Sequence, residues 1–372
     1  MATRRAQYRI IYEELQEQIK SGKLKAGEKV PTEKELSERY KVSRITSKKA
    51  MDLAAENNLI TRMPGKGSFV TGNAKRKSQG DIQNKAPVIA VIQPELSEFF
   101  GLQFYKELEL TAHEQGVYLI HGISNKCIEK EKSLIRSYIE FGVDGFIIQP
   151  VHYETFSNEI LKLILEAYPL VLIDRSLKDI SCTNVVSDNV AAGMKAIDHL
   201  FSLGHRNIGI ASRPVEACSS LKDRLKGVQD YYMEKEVPFK KDSLFIALDG
   251  LDDKQDLTFQ EHKERIREYL TKNREITAIF SLEYSPVPII QIVAAEMGLR
   301  IPEDLSLISF DNPGHLIKKL NPVTHIRQRE KEIARTAYSM IDMMIRGEKP
   351  ENPQNIIETD LVICHSTSRT EG

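Results

Sequence analysis

Arg44, Thr46, Ser47, Lys48 and Lys49 fall within six consecutive positions of a 372-residue chain. This is a set suited to a polyanion: an arginine can fork onto a guanine edge, while hydroxyls and ammonium groups hold phosphates. To act together these residues must share one end of one element. Ser43 is placed to cap a helix over residues 44–57, with Met51 and Leu53-Ala54 turned inward. The turn Lys41-Val42-Ser43 joins it to a shorter helix over 33–40, which buries Leu36 and Tyr40. Thr32 and Glu35 have capping-box spacing, and Pro31 keeps the entering chain extended. Upstream, Tyr8, Ile11, Tyr12, Leu15 and Ile19 recur at intervals of three and four, the pattern of a helix with one buried stripe, ending at Ser21-Gly22. Two short helices joined by a tight turn, the second basic at its start, read as a helix-turn-helix. The following segment, Arg62 to Val70, reads as a two-stranded wing: Gly65 and Gly67 permit a tight hairpin, and Lys66 puts charge at a tip that can reach a minor groove. An ordinary hairpin without a ligand is the competing reading. A nucleotide-binding glycine loop is disfavoured because no strand-to-helix frame surrounds these glycines.

The charge distribution supports a polyanion partner for one end of the chain only. Residues 1–80 carry 18 Lys and Arg against 9 Asp and Glu, whereas the remainder carries 34 against 44 and the whole chain sums to −1. Residues 72–81 contain one alanine and no larger apolar side chain, so they read as an exposed linker; its Lys75-Arg76-Lys77 either brushes phosphates or is a plain tether. A composition of 41% hydrophobic and 28% charged residues excludes a disordered chain. No run of 18 apolar residues occurs, and Met1-Ala2-Thr3-Arg4-Arg5 leads into a charged stretch without an apolar signal core, so a cytoplasmic address is expected. Cys127, Cys182, Cys218 and Cys364 are too scattered for a disulfide scaffold or a cysteine-built zinc site.

Beyond Pro87 the pattern changes. Apolar runs at 88–92, 118–120, 145–148, 170–173, 208–210, 278–280 and 305–308 alternate with amphipathic stretches, which implies parallel sheets covered on both faces. The length of this region favours two such lobes, with a small molecule seated at the carboxyl ends of strands in the cleft between them. His199 and His205 lack the spacing of a helical metal-ligand pair, and no HExxH set occurs. Acidic pairs such as Asp252-Asp253 have no nucleophile or electrophile motif beside them. Neither an enzyme, a metal site nor a cofactor is expected.

Two resemblances follow from these residues. Pro31-Thr32-Glu33, Val42-Ser43-Arg44-Ile45-Thr46 and Gly65-Lys66-Gly67-Ser68-Phe69-Val70 resemble, in order and spacing, the GntR family of winged-helix repressors. This likeness implies operator contacts from Arg44, Thr46 and Lys66, within a wider set of Thr32, Ser47, Lys48, Lys49 and Gly67; Arg4 and Arg5 are added on charge alone. Ser47 departs from a position that is apolar in the family, Lys48 stands where arginine is common, and Asn58 replaces a glycine before the wing. Residues 87–365 resemble the effector domain of the lactose repressor family. The likeness rests on Asp188-Asn189 with Gly193, His199-Leu200, Leu203-Gly204-His205-Arg206, Arg224-Leu225-Lys226-Gly227, Ile301-Pro302-Glu303-Asp304-Leu305-Ser306, Phe310-Asp311-Asn312 and Pro322-Val323-Thr324.

Together these resemblances imply an α/β chain: an N-terminal winged helix-turn-helix over 1–72, a linker over 73–86, and a two-lobed, periplasmic-binding-protein-like effector domain of type I with parallel sheets over 87–365. The first lobe is expected at about 87–186 plus 314–342 and the second at about 187–313 plus 343–365. The family likeness assigns Arg224 and Asp311 to a carbohydrate, and Asp174 ends a first-lobe strand where it can serve similarly. Leu282 and Glu283 stand where the family has Asn-Asp, and Phe104, Tyr105 and Tyr284 are candidate contacts or ordinary packing aromatics. The implied function is that of a homodimeric repressor on inverted half-sites, released by a small carbohydrate with L-arabinose as first candidate, and without a membrane partner. A regulator tightened on DNA by its ligand, and a cytoplasmic sugar-binding protein without regulatory coupling, remain the alternatives.

Overall fold

Thr32 and Ser43 each start a helix by accepting a backbone N–H through the side-chain hydroxyl, from Glu35 and Thr46 respectively. They belong to a small head in a computed structural model that describes residues 7–25, 27–57, 59–63, 67–70, 86–97, 100–151, 157–177, 180, 182–215, 218–240, 244–246, 256–312 and 323–370. The chain divides into two compact units, residues 1–85 and 86–372.

In the head, α1 (Gln7–Lys20), α2 (Glu33–Tyr40) and α3 (Arg44–Glu56) precede an antiparallel hairpin of β1 (Ile60–Met63) and β2 (Gly67–Val70). Lys41 takes a left-handed φ of 51°, which turns α2 sharply into α3. The stripe expected on α1 is inward, with Ile11 and Leu15 packed on Leu36, Ala50, Met51, Ala54, Ile60 and Val70. The segment before α2 adds a third strand-like edge to the wing, for Val30 donates to the Ser68 carbonyl and Val70 to that of Glu28. Gly67 lies under this edge at φ 113°, where a Cβ would meet Lys29 Cε at 2.7 Å.

The body opens with β3 (Val88–Gln93), α4 (Leu102–Glu114), β4 (Tyr118–Ile123), α5 (Ile128–Phe141), β5 (Gly145–Ile148), α6 (Asn158–Leu165), β6 (Leu170–Ile173) and β7 (Asn184–Ser187). It continues with α7 (Asn189–Ser202), β8 (Ile208–Ser212), α8 (Ser219–Glu234), β9 (Leu244–Ile246), α9 (Asp256–Lys272), β10 (Ala278–Ser281), α10 (Val287–Glu296) and β11 (Ser306–Phe310). Last come β12 (Thr324–Gln328), α11 (Glu330–Ile345), β13 (Gln354–Ile357) and β14 (Thr359–Val362). Among the described residues these strands form two six-stranded sheets, ordered β13-β7-β6-β5-β3-β4 and β14-β12-β11-β10-β8-β9. All pairings are parallel except that of β12 with β14. Each sheet is packed on both faces by apolar clusters, which is why its strands read as continuous hydrophobic runs.

Among the described residues the chain passes between lobes three times, at 187–189, 328–330 and 357–359, and this corrects the lobe limits expected from the sequence. β12, expected in the first lobe, pairs with β11 in the second sheet. β13, expected in the second lobe, pairs with β7 in the first. Strand pairing decides membership here, and single crossing residues carry no compositional mark. Among the described residues no helix is long and apolar enough to cross a membrane.

Candidate functional site

On the head, one face of α3 is committed to the core and the other is open. Ser47 belongs to the first face. It has 0% exposure, and its hydroxyl donates to the Glu33 carbonyl at 2.8 Å and to that of Arg44 at 3.1 Å, tying α3 to the start of α2. The expectation of a DNA contact from Ser47 is therefore corrected: the hydroxyl replaces an apolar core residue and meets its polar requirement on the neighbouring helix. Arg44, Lys48 and Lys49 are exposed. Lys49 leans over the Tyr8 ring at 4.4 Å, whereas among the described residues no ion pair engages Arg44 or Lys48. Thr46 is half-buried with its Oγ1 2.9 Å from Ser43 Oγ. Thr32, although exposed, is occupied by the capping box, for its backbone N–H and hydroxyl both donate to Glu35 at 2.7 and 2.9 Å. These two bonds hold the Glu35 carboxyl below its ordinary value. Arg62 braces the wing by pairing with Asp52 at 2.8 Å and Glu33 at 3.3 Å. Arg4, Arg5 and Lys66 lie outside the described residues, as does the linker core at 71–85.

In the body, a cavity of about 320 Å³ lies at the carboxyl ends of the strands, lined from both lobes. The first lobe supplies Phe100, Gln149, Asp174 and Arg175; the second supplies Arg213, Ser220, Arg224, Glu283, Tyr284, Asp311 and Gln328. Arg224 projects from α8 and is 5% exposed. Its Nε donates to Asn189 Oδ1 at 2.9 Å and its Nη1 to the Leu282 carbonyl at 2.8 Å, while the guanidinium lies 3.2 Å from the centre of the Phe310 ring. Burial pulls its pKa down, and Asp311 and Asp174 oppose that pull. Asp311 accepts from Gln328 Nε2 at 2.9 Å. Enclosure by protein pushes its carboxyl up to about 8, against the opposing influence of Arg224.

The remaining charges in the cleft are arranged in pairs. Asp174 accepts from Gln149 Nε2 at 2.8 Å and has Arg175 Nε at 3.5 Å. Glu283 is gripped by Arg213, whose Nε lies 2.8 Å from each carboxylate oxygen and whose backbone N–H adds a third bond. Arg175 Nη1 also donates to the Pro150 and Val151 carbonyls, fastening the ends of β5 and β6 together. Phe100 is placed by a carboxylate distant in the chain: Glu330, the first residue of α11, accepts the N–H groups of Gly101 and Phe104 at 2.9 and 3.0 Å. This stations a negative charge at the start of α4; burial raises the Glu330 pKa.

Five of the eight effector contacts expected from the sequence thus line one cavity: Asp174, Arg224, Glu283, Tyr284 and Asp311. Three do not. Phe104 is fully buried in the first-lobe core, Tyr105 lies against His121 with ring centres 4.4 Å apart, and the Leu282 side chain is fully buried in the second-lobe core. α4 turns Phe104 inward and leaves Phe100, before its first turn, at the cavity. At position 282 the backbone carbonyl, rather than the side chain, serves the cleft by holding Arg224. Gln149, Arg175 and Arg213 were missed, although each sits just past the carboxyl end of an apolar strand, where ligands of such sheets bind; Gln328 was missed because it ends β12, Thr-His-Ile-Arg-Gln, which is not an apolar run. His199 and His205 bond separately, to Thr367 and to Thr277 with the Ser368 carbonyl. Among the described residues no group of three or more His, Cys, Asp or Glu is arranged to hold a metal ion.

A helix-turn-helix head and a two-lobed, periplasmic-binding-protein-like body are the parts of a transcription regulator. Residues 7–70 match the gntR family of bacterial regulatory proteins, and residues 197–367 match the periplasmic binding protein-like domain. The chain is a transcription regulator of this composite type. It is 26% identical over 366 residues to the arabinose metabolism transcriptional repressor of Geobacillus stearothermophilus, covering 97% of each chain. It is 25% identical over 363 residues to the HTH-type transcriptional repressor CytR of Escherichia coli (strain K12), covering 93% of this chain and 98% of that one. Among solved structures, transcription regulator CcpA of Lactococcus lactis aligns with a TM-score of 0.66 at 18% identity over 76% of this chain and 100% of that one. The CelR–cellobiose complex aligns with a TM-score of 0.65 at 18% identity over 91% and 100%.

Proposed function

We propose that this chain is a cytoplasmic repressor that grips inverted operator half-sites as a homodimer and lets go when a small uncharged carbohydrate closes the cleft. The observation that carries the ligand class is that the charges in the cavity are already partnered within the protein: Asp174 with Arg175, Glu283 with Arg213, and Arg224 with Asn189 Oδ1 and the Leu282 carbonyl. A ligand with a net charge would leave that balance uncompensated, whereas a polyol can exchange donors and acceptors with it. Phe100 and Tyr284 offer apolar faces from opposite lobes, and the volume lies in the range of ordinary small-molecule sites. Arg224 uses its Nε hydrogen and one Nη1 hydrogen within the protein, and the rest of its five-donor guanidinium is proposed to donate to the sugar. L-arabinose ranks first because the repressor of arabinose metabolism is among the full-length relatives.

On the DNA side, Arg44, Thr46, Lys48 and Lys49 at the start of α3, with Lys66 and Gly67 in the wing and Arg4 and Arg5 upstream, form the proposed operator contacts. Two heads are needed because one short helix reads only a few base pairs. Lobe closure would shift the heads of the dimer relative to each other; a tenfold loss of operator affinity needs only about 1.4 kcal/mol of differential binding. The test is selection of a duplex from a random library, then titration of that duplex with and without a panel of neutral sugars. Release by one sugar supports the reading, tightening reverses its sign, and equal affinity at saturating sugar sinks the coupling.

A further inference from the structure

We infer that Ile45 reads the C5-methyl group of a thymine in each operator half-site; this rests on the DNA-binding role proposed above. Ile45 is the second residue of α3 and is 80% exposed, whereas Ile11, Leu36, Met51 and Ile60 in the same small domain are nearly or fully buried. The core-facing side of the helix is complete without it, being formed by Ser47, Ala50, Met51 and Ala54. Its neighbours one turn on, at i+3 and i+4, are the exposed cations Lys48 and Lys49, and Arg44 is exposed beside it. A branched apolar side chain held in water among cations is unfavourable for the free head. In a major groove it meets the one apolar group that base edges present, the thymine methyl, while the surrounding cations meet phosphates and acceptor edges. The same carbon skeleton has no hydrogen-bonding atom to offer any other base, so its contribution is selective for thymine over cytosine.

The test replaces thymine by uracil, one symmetric pair at a time, in the duplex selected by the wild-type protein, since this removes the methyl and nothing else. The expected result is one position per half-site at which uracil weakens binding by about fourfold, the weight of one buried carbon group. Ile45→Ala should bind the thymine and uracil duplexes equally at that position, Ile45→Val should retain most of the difference, and Lys48→Ala should weaken binding with the difference intact. An unchanged thermal midpoint for Ile45→Ala verifies that the exposed site carries no folding role. Indifference of the wild type to uracil everywhere, or an undiminished uracil effect in Ile45→Ala, overturns the inference while leaving the regulator reading in place. So does a change in self-association of Ile45→Ala with DNA affinity unaltered, which would make the side chain a protein contact. Failure to select any duplex overturns both readings together.

Discussion

Asp174 and Asp311 are counterparts in the two lobes. Asp174 directly follows β6 and Asp311 directly follows β11; both take left-handed backbone conformations, with φ 63° and 62°. Each presents Oδ2 to a glutamine Nε2 from the adjacent strand's end, Gln149 beside β6 and Gln328 beside β11. Left-handed aspartates cost conformational energy, of the order of 1 to 3 kcal/mol each where the surroundings impose them. Two such residues face one cavity from two separate sheets, and both lie among its lining residues.

The environment of Asp311 is testable by pH. Because the folded-state pKa of Asp311 is raised to about 8 from 3.8, the folded chain binds this proton more tightly than the unfolded chain does. Its stabilising contribution is complete at low pH and is lost as pH rises through the window between those values. Asp311→Asn keeps a residue that tolerates the left-handed backbone and removes the titration. The thermal midpoint of the wild type, measured without ligand, should therefore fall relative to the variant from about pH 6 to about pH 8, within that window. Parallel profiles would show that the carboxyl is ionised throughout.

Arg224→Ala is expected to damage the fold as well as the ligand site. The guanidinium is the partner of Asn189 Oδ1 and of the Leu282 carbonyl, and each buried acceptor left unpaired costs about 1 to 3 kcal/mol. Denaturant unfolding should register that loss, and calorimetric titration should show weaker binding of whichever sugar the wild type takes. Arg224→Lys retains a charge without the planar fork and should fall short of the wild type in both. Wild-type stability in Arg224→Ala would mean that these two bonds contribute nothing net.

The crossing of α7 over α8 gives a sharper steric prediction. A Cβ at Gly193 would lie 2.2 Å from the Arg224 carbonyl oxygen, and one at Gly227 would lie 2.0 Å from that of Val190. Both are backbone obstacles, so the helices themselves must separate. Gly193→Ala should destabilise by at least the 1 to 3 kcal/mol typical of overpacking, about as much as Gly227→Ala, and should weaken sugar binding by displacing Arg224. Near-wild-type unfolding of either variant would require the helices to slide at little cost.

These two glycines also show what the sequence carried and what it did not. Each was readable as part of a separate family landmark, Gly193 with Asp188-Asn189 and Gly227 at the end of Arg224-Leu225-Lys226-Gly227, and the capping residues Thr32 and Ser43 fixed the helix-turn-helix by local chemistry alone. β3, β5, β6, β8, β10 and β11 were legible as apolar runs, since a strand buried on two faces has no polar alternation to disguise it, whereas β7, β9 and β12 were not read. Side-chain direction was not. Phe104 and Tyr105 follow Phe100 by one helical turn, and only the pitch of α4 against the sheet decides which aromatic sees the cavity. Short edge strands such as β13 and β14 carry little pattern of their own, so their distribution between lobes depended on pairing partners far away in the chain.

Ser47 is the position where a local rule and the tertiary fold disagreed most, and it yields the last prediction. A serine in the first turn of a recognition helix reads as a phosphate contact, yet its hydroxyl is buried and donates to Glu33, fourteen residues upstream. Ser47→Ala removes that bond and leaves a space the size of one oxygen, so the head should lose about 1 kcal/mol of stability. Because the bond fixes α3 against α2, operator affinity should fall through loosened positioning of Arg44 and Lys48, similarly for all sequences and with an unchanged salt dependence. Loss of a phosphate contact made by Ser47 itself would instead weaken DNA binding at full thermal stability. Unfolding curves and salt-dependent titrations of the same variant separate the two.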